Sequence, residues 1–363
     1  MSTPTIPNGA AYMAATLYTG NGSTQTITNG VAGQSFQPDL VWVKGRSSAS
    51  QDNLLVDSVR GISKRLISNK TAAETLESGY NITAFNSSGF TAVDDTNGSY
   101  NVNGSVGGTF SGAALYVGWQ WKAGGTAVSN TSGTITSSVS ANTTSGFSVV
   151  TYTGTGANAT VGHGLGVTPK MVIVKGRSVS GYSWTIWNKP TVDANGAPAV
   201  LALESTSAWF NRATAFNSTA PTSSVFSIGT DLGTNTNGGT YVAYCWSEIA
   251  GYSVFGSYTG NGSATSGAFV YLGFRPRFVM IKRTDSTSSW IMIDSSRDPY
   301  NLAGQGLQAN SSAAELTPAS SGYPIDLLSN GFKLYETGDP NVSSGTYIYA
   351  AFAENPFKYA NAR

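Results

Sequence analysis

The chain of 363 residues is predicted to be all-β: three tandem, related domains of the antiparallel β-sandwich or jelly-roll kind. The first observation behind this is a block written three times. It opens with Leu17-Tyr18-Thr19-Gly20-Asn21-Gly22, Thr151-Tyr152-Thr153-Gly154-Thr155-Gly156 and Ser257-Tyr258-Thr259-Gly260-Asn261-Gly262. It closes with Tyr116-Val117-Gly118-Trp119-Gln120-Trp121, Tyr241-Val242-Ala243-Tyr244-Cys245-Trp246 and Tyr347-Ile348-Tyr349-Ala350-Ala351-Phe352. The span from Tyr152 to Tyr241 equals that from Tyr258 to Tyr347, and that from Tyr18 to Tyr116 is slightly longer. A unit of ~100 residues is the size of a domain with its own core, far longer than a solenoid repeat. The second observation is that the apolar runs are short, β-branched or aromatic, and bounded by Gly, Asn, Ser and Pro, which is the pattern of strands and turns. The third is that no useful stretch places apolar residues at helical spacing; Arg60 to Leu66 holds one short helix at most.

The elements follow in order. Residues 1–10 are an N-terminal arm. The first domain runs from Ala11 to Lys122, the second from Gly146 to Ala250, and the third from Gly251 to Arg363 with a C-terminal tail. Within each, an apolar run ends in lysine just after a proline: Leu40 to Lys44 after Pro38, Met171 to Lys175 after Pro169, Phe278 to Lys282 after Pro276. Proline cannot donate a ladder hydrogen bond and so marks the mouth of a strand. A second apolar run follows (Leu54 to Asp57, Trp184 to Asn188, Trp290 to Asp294), then a turn that delivers Phe90, Phe226 or Phe332. In the closing strand, Tyr241, Ala243 and Cys245 share one face and Val242, Tyr244 and Trp246 the other. Both faces are apolar, so these strands are expected to be buried on both sides, or to pack a core on one side and a neighbouring domain on the other. A closed barrel is the alternative architecture. The Gly/Ser/Thr-rich segment 123–145 reads as a linker that lets the first domain move; alternation over Thr134 to Val139 is compatible with an extra strand instead.

Composition excludes several classes of function. Charged residues make up 11% of the chain, well under the usual ~25%, and the formal net charge is +1. Lysine and arginine are scattered, without the basic stripe of a nucleic-acid binder. No window is long and apolar enough for a membrane helix. The N-terminus lacks the basic head and apolar core of a secretory signal, so the chain is expected to be made in a cytoplasm. A polar, weakly charged β-surface without a signal suits a virion component released by lysis.

Candidate chemistry is sparse. The single histidine, His163, lies in a glycine-rich turn and is expected to cap backbone groups. Gly162, Gly164 and Gly166 resemble a phosphate loop only in spacing, because no helix follows to supply an anion-binding N-terminus. The single cysteine, Cys245, is expected to be buried and inert. Zinc is excluded by ligand count, and no cofactor is expected. Asp94 and Asp95 are the one candidate for Ca²⁺, without the spacing of a calcium loop. Asp57 and Asp294 are each followed three residues later by arginine (Arg60, Arg297), which reads as an ion pair pinning a turn; the second copy has Asn188-Lys189 there. A glycosidase needs two carboxylates facing one sugar, and each copy offers one. Trp42, Trp119, Trp121 and Trp246 fall in strands and are assigned to cores or inter-domain packing; Trp184 and Trp290, at matching places, are assigned to cores. Tyr182, Trp209, Phe210 and Tyr300 lie outside the template and are the candidate surface contacts.

The strings Gly146-Phe147-Ser148-Val149-Val150-Thr151-Tyr152-Thr153-Gly154 and Tyr241 to Trp246, with the ending Ala351-Phe352-Ala353-Glu354-Asn355-Pro356-Phe357-Lys358-Tyr359-Ala360-Asn361-Ala362-Arg363, resemble a repeated domain of unknown function. It is found in virion proteins of tailed bacteriophages, marine ones especially. The resemblance covers nearly the whole chain and implies a non-enzymatic structural or surface protein of the virion, as tail fibre, receptor-binding protein or capsid decoration; it carries over no catalytic residue. The absence of a coiled-coil shaft keeps head decoration open. A virion-associated carbohydrate-active enzyme, a depolymerase, is the alternative. Expected partners are other virion proteins, a host-surface glycan or protein, and further copies of the chain, with a homotrimer the first choice. Phe357 and Tyr359 in the tail are the candidate assembly contacts.

Overall fold

Backbone pairing joins segments that lie far apart in the chain, and it does so three times in the same way. The computed structural model describes residues 6, 8–31, 33–49, 51–94, 102–104, 114–192, 198–317 and 323–354. Strands account for 44% and helix for 2% of it, so the all-β expectation holds, in several antiparallel sheets.

The first copy contains β1 (Met13–Thr19), β2 (Thr24–Thr28), β3 (Leu40–Gly45), β4 (Leu54–Asp57), β5 (Lys64–Ile67), β6 (Thr75–Leu76), β7 (Asn81–Asn86), β8 (Gly89–Val93) and β9 (Leu115–Trp121). The segment to the end of the second copy contains β10 (Val128–Asn130), β11 (Ser137–Asn142), β12 (Phe147–Thr153), β13 (Ala159–Gly162), β14 (Met171–Gly176), β15 (Thr185–Val192), β16 (Pro198–Ala202), β17 (Val225–Ile228), a four-residue helix α1 (Leu232–Asn235) and β18 (Thr240–Trp246). The third copy contains β19 (Ser253–Thr259), β20 (Phe269–Tyr271), β21 (Pro276–Arg283), β22 (Ile291–Asp294), β23 (Leu307–Gln308), β24 (Ile325–Leu328), β25 (Gly331–Leu334) and β26 (Thr346–Ala353).

Each copy builds one large sheet around its closing strand: β1-β9-β3-β4-β5-β6, then β10-β11-β12-β18-β14-β15-β16, then β19-β26-β21-β22-β23. Each also builds a small sheet, β2-β8-β7, β13-β17 or β20-β25-β24. The registers match residue for residue: Tyr18 lies opposite Tyr116, Tyr152 opposite Tyr241, and Tyr258 opposite Tyr347. Those tyrosine rings stack at 5.1, 5.2 and 5.0 Å, and Phe90, Phe226 and Phe332 meet the stacks edge-on at 6.1, 6.0 and 6.0 Å. The glycine after each opening Tyr-Thr is required by close approach: a Cβ on Gly20, Gly154 or Gly260 would strike the carbonyl oxygen of Gly104, Thr236 or Val342.

The two apolar faces of each closing strand are accounted for separately. One face, with Tyr241, Ala243 and Cys245 in the second copy, packs a local core between large and small sheet; the first and third copies have equivalents. The other faces converge on one shared core that takes Trp42, Trp119 and Trp121 from the first copy, Trp184, Tyr244 and Trp246 from the second, and Phe278, Trp290 and Phe352 from the third. Trp121 meets Trp246, Phe278 and Phe352 at 6.1, 5.7 and 5.8 Å. Burying each such ring stabilises the fold by roughly 2–3 kcal/mol.

Two expectations are corrected. The segment 123–145 is no flexible linker: it carries β10 and β11, and β11 pairs with β12 over five residues. Its alternating polar and apolar residues place Val139 in the second copy's core. The shared core likewise leaves the first copy no freedom to swing. The stretch Arg60 to Leu66 forms a turn and then β5 rather than a helix, because Leu66 and Ile67 are buried beside β4.

Candidate functional site

Three lysines that end apolar strands would be costly to bury without partners. Lys44, Lys175 and Lys282 are nonetheless fully buried. Each ammonium donates to a carbonyl of its own copy and to one of another. Lys44 Nζ reaches Gln51 O at 2.8 Å and Ser311 O at 3.1 Å. Lys175 Nζ reaches Tyr182 O at 2.6 Å and Thr71 O at 2.9 Å. Lys282 Nζ reaches Ser288 O at 2.7 Å and Thr206 O at 3.0 Å. The first copy thus contacts the second, the second the third, and the third the first, closing a ring. Burial pushes Lys44 down to about 7, with Asp52 opposing, and Lys175 and Lys282 down to about 8.

Side chains and backbone repeat the ring. Trp184 Nε1 donates to Ile67 O and Trp290 Nε1 to Ala202 O, each at 2.9 Å. Asn53, which holds the same place ahead of β4, donates to Ala309 O at 2.8 Å. Two residues beyond each lysine, the carbonyls of Arg46, Arg177 and Thr284 accept from the amides of Glu315, Glu74 and Trp209 at 2.8, 2.8 and 2.9 Å.

The Asp–Arg pairs belong to these junctions. Asp57 Oδ1 accepts from the amides of Val59 and Arg60, and its other oxygen takes the Arg60 guanidinium. Asp294 does the same with Ser296 and Arg297, at 2.6 Å from Arg297 Nε. Each pair therefore pins its turn, as its spacing predicts. The sequence did not disclose the partners from other copies. Tyr244 donates to Asp57 at 2.8 Å, and Trp119 Nε1 to Asp294 at 3.0 Å. Glu74 bridges Arg60 and Arg177, each at 2.9 Å, and Glu315 bridges Arg297 at 2.9 Å and Arg46 at 2.8 Å. Burial opposes ionisation of Glu74, but its two arginines outweigh it and hold the carboxyl below the usual range.

At the junction of the second and third copies this chemistry is replaced. Register places Asn188 where Asp57 and Asp294 stand, Trp209 takes the place of the glutamates, and Ala350 that of Tyr244 and Trp119. Trp209 packs on the shared core. Asn188 is buried with neither amide atom hydrogen-bonded.

The remaining candidates have definite places. His163 is buried; its Nε2 donates to Thr222 O and its Nδ1 accepts from the Leu165 amide, both at 3.2 Å. It caps backbone groups as expected, and burial lowers its pKa. Cys245 is buried and its thiol is pushed up to about 12, which makes it inert. Tyr182 and Phe210 are half-buried, Phe210 against the second copy's core. Tyr300 is 83% exposed, the most exposed of the four proposed surface contacts. Asp95, Phe357 and Tyr359 lie outside the described residues. Among the described residues no three of His, Cys, Asp and Glu are grouped to hold a metal ion.

Two open clefts flank β11. One, of ≈ 350 Å³, is lined by hydroxyls of Thr136, Ser138 and Thr151 with Arg177. The other, of ≈ 570 Å³, is lined by Asp39, Lys122 and the 123–126 and 141–143 segments. Asp39 is engaged there: it accepts from Ser58 Oγ and the Ala123 amide, each at 2.7 Å. Outside the clefts, the third copy exposes Phe269 and Tyr271 on the outer face of β20. Their alternation around Val270 was the available sequence signal.

No curated protein and no solved structure matches the chain. A family profile, that of a domain of unknown function (DUF7483), matches residues 8–356 in one span that runs through all three copies. The chain belongs to that family.

Proposed function

We propose that this chain is a non-enzymatic surface protein of a tailed-bacteriophage virion, in which three sandwich-type units are fused into a single-chain ring that rigidly presents its outer surface as a tail-fibre, receptor-binding or decoration component. The observation that carries this reading is where the charges are used. Asp57, Asp294, Glu74, Glu315 and the three buried lysines all tie one copy to the next. Such a scaffold resists opening. Its polar, weakly charged exterior suits repeated display, and the resemblance of its repeat strings to virion proteins points the same way. On this reading it is made in the host cytoplasm and meets other virion proteins.

Immunogold labelling of purified particles tests it. Label at a regular position on tail or head is expected; label confined to the soluble lysate would overturn the reading. Release of reducing ends from host polysaccharide by the purified chain would favour the depolymerase instead. Assembly is tested by removing Pro356 to Arg363. The truncated chain should stay folded and fail to enter particles, and normal incorporation would remove the tail as an assembly contact.

A further inference from the structure

The three copies act as one another's controls for what the outer face of a small sheet requires. In β2, Ile27 turns inward opposite Phe90; in β13, Val161 does so opposite Phe226; in β20, Val270 does so opposite Phe332. Residues on either side of that position face outward. They are Thr26 and Thr28 in the first copy, and Thr160 and Gly162 in the second. In the second copy, the preceding segment pairs along the edge of β13, where Ile135 bridges Val161 and Ser137 Oγ donates to Gly162 O, and the Asn130 side chain sits against Gly162, where a Cβ would strike its Oδ1. In the third copy they are Phe269 and Tyr271, 47% and 61% exposed. The fold does not need aromatic rings there, since the sister copies fold with threonine or glycine.

We propose that this face is a binding platform for a neutral saccharide chain, a reading that rests on the surface-display function above and names its ligand. Phe269 and Tyr271 are two residues apart on one strand, which sets their rings ~7 Å from each other on a flat sheet. Lys333 lies directly across from Phe269, and Asp326 across from Lys333. Tyr335 donates to Asp326 at 2.7 Å, and the Lys333 ammonium sits 5.0 Å from the Tyr335 ring. On the far side of the sheet, the Asn301 side chain bonds Leu327 of β24 and Ala303 bridges Ile325, which brings Tyr300 to that edge.

The platform therefore pairs aromatic faces with one positive and one negative group and has no net charge. A sugar chain stacks its C–H faces on the rings while its hydroxyls bond Lys333 and Asp326. An apolar protein partner would strip water from both charged groups without replacing it. Area argues the same way. At their exposures the two rings offer roughly 200 Å², against the ~800 Å² per partner of a stable protein interface.

The test compares the wild-type chain with a Phe269→Thr, Tyr271→Thr double variant, which restores the first copy's residues at exposed positions and should fold normally by circular dichroism. Both are run in affinity gels containing dextran, laminarin or galactomannan, and by sedimentation without saccharide. Wild-type retardation by at least one polysaccharide is expected, with affinity reduced at least roughly tenfold in the double variant. Equal retardation of both chains, or of neither, overturns the proposal. Self-association of the wild type that the double variant abolishes overturns it too and assigns the face to a second copy. None of these outcomes depends on particle labelling, so failure here leaves the display reading to be judged separately.

Discussion

Replacing Asp294 with Asn isolates the junction between the third and first copies. In the native arrangement Asp294 Oδ1 takes two backbone amides, while Oδ2 takes Arg297 Nε at 2.6 Å and Trp119 Nε1 at 3.0 Å. An asparagine that keeps its oxygen on the amides turns its NH₂ toward two donors; flipped, it turns the NH₂ toward the amides. Neither orientation is satisfied. Breaking a buried pair costs about 3–5 kcal/mol. Glu315 remains 2.9 Å from Arg297 Nη1 and keeps its charge compensated, so a cost near the lower limit, ~3 kcal/mol, is expected. At ~2.1 cal/mol/K per residue over the whole chain, that lowers the melting temperature by ~4 °C if all three copies unfold together, as their shared core requires. Scanning calorimetry reads both the shift and the number of transitions. In a Trp119→Phe background, where one opposing donor is gone, Asp294→Asn should cost less. A shift under ~1 °C would refute the buried junction. A separate early transition, shifted roughly three times as far, would refute the single cooperative ring.

Two further predictions use the same ring. Asn188 is buried and unbonded, so Asn188→Leu should be neutral or stabilising by up to ~2 kcal/mol; a loss of more than ~1 kcal/mol in urea unfolding would show that Asn188 has a partner. The lysines predict a pH dependence. Unfolded lysine holds its proton to ~10.4, whereas Lys44 in the fold loses it near 7, and Lys175 and Lys282 near 8. Between those values the unfolded chain binds more protons at the lysines, so stability should rise with pH from about 7 to about 9; above that the buried tyrosines, whose pKa values burial raises, oppose the rise. A urea midpoint that is flat or falls over that window would contradict it. His163, lowered by burial, titrates at more acid pH and does not contribute there.

The sequence disclosed most about contacts within one copy. The stacked tyrosines, the turn-delivered phenylalanines and the Asp–Arg turns recur at fixed spacing because each is local to a single β-unit. The two-faced closing strands even announced a second packing surface. Partners in other copies could not be read. Lys175 meets Thr71 and Trp119 meets Asp294 across more than a hundred residues, and nothing in the local pattern of a strand-ending lysine names a carbonyl that far away. A recurring asparagine was also missed. Asn103, Asn235 and Asn341 are fully buried and bond the backbone of the opening turns at Asn21, Thr155 and Asn261. Asn235 and Asn341 stand equally far ahead of Tyr241 and Tyr347, a usable signal; the longer loop of the first copy moves Asn103 out of that register. Segment 123–145 was misread because its opening glycines outweighed the alternation that follows them.

The divergent junction says what the ring needs and what it can vary. The lysine-to-carbonyl bonds and the amide-to-carbonyl bonds recur at all three junctions, so they belong to the shared architecture. The carboxylate–guanidinium–aromatic cluster occurs at two, and at the third Trp209, Ala350 and Asn188 stand in its place. Buried ion pairs are often no more stabilising than well-packed apolar groups of similar volume, which makes the exchange thermodynamically permissible. It also makes the junctions unlike. Glu74 and Glu315 each require a matching arginine across the contact, Arg177 or Arg46, where Thr284 stands opposite Trp209. Were the second and third copies to exchange places, Glu315 would meet Arg177, but Trp209 would meet Arg46 and Glu74 would face Thr284, so Arg46 and Glu74 would each lose the partner across the contact. An uncompensated buried charge costs several kcal/mol, enough to disfavour the wrong order of copies. Three similar units sharing one apolar core would otherwise have little to tell neighbour from neighbour, and the loss of symmetry at one junction supplies that distinction.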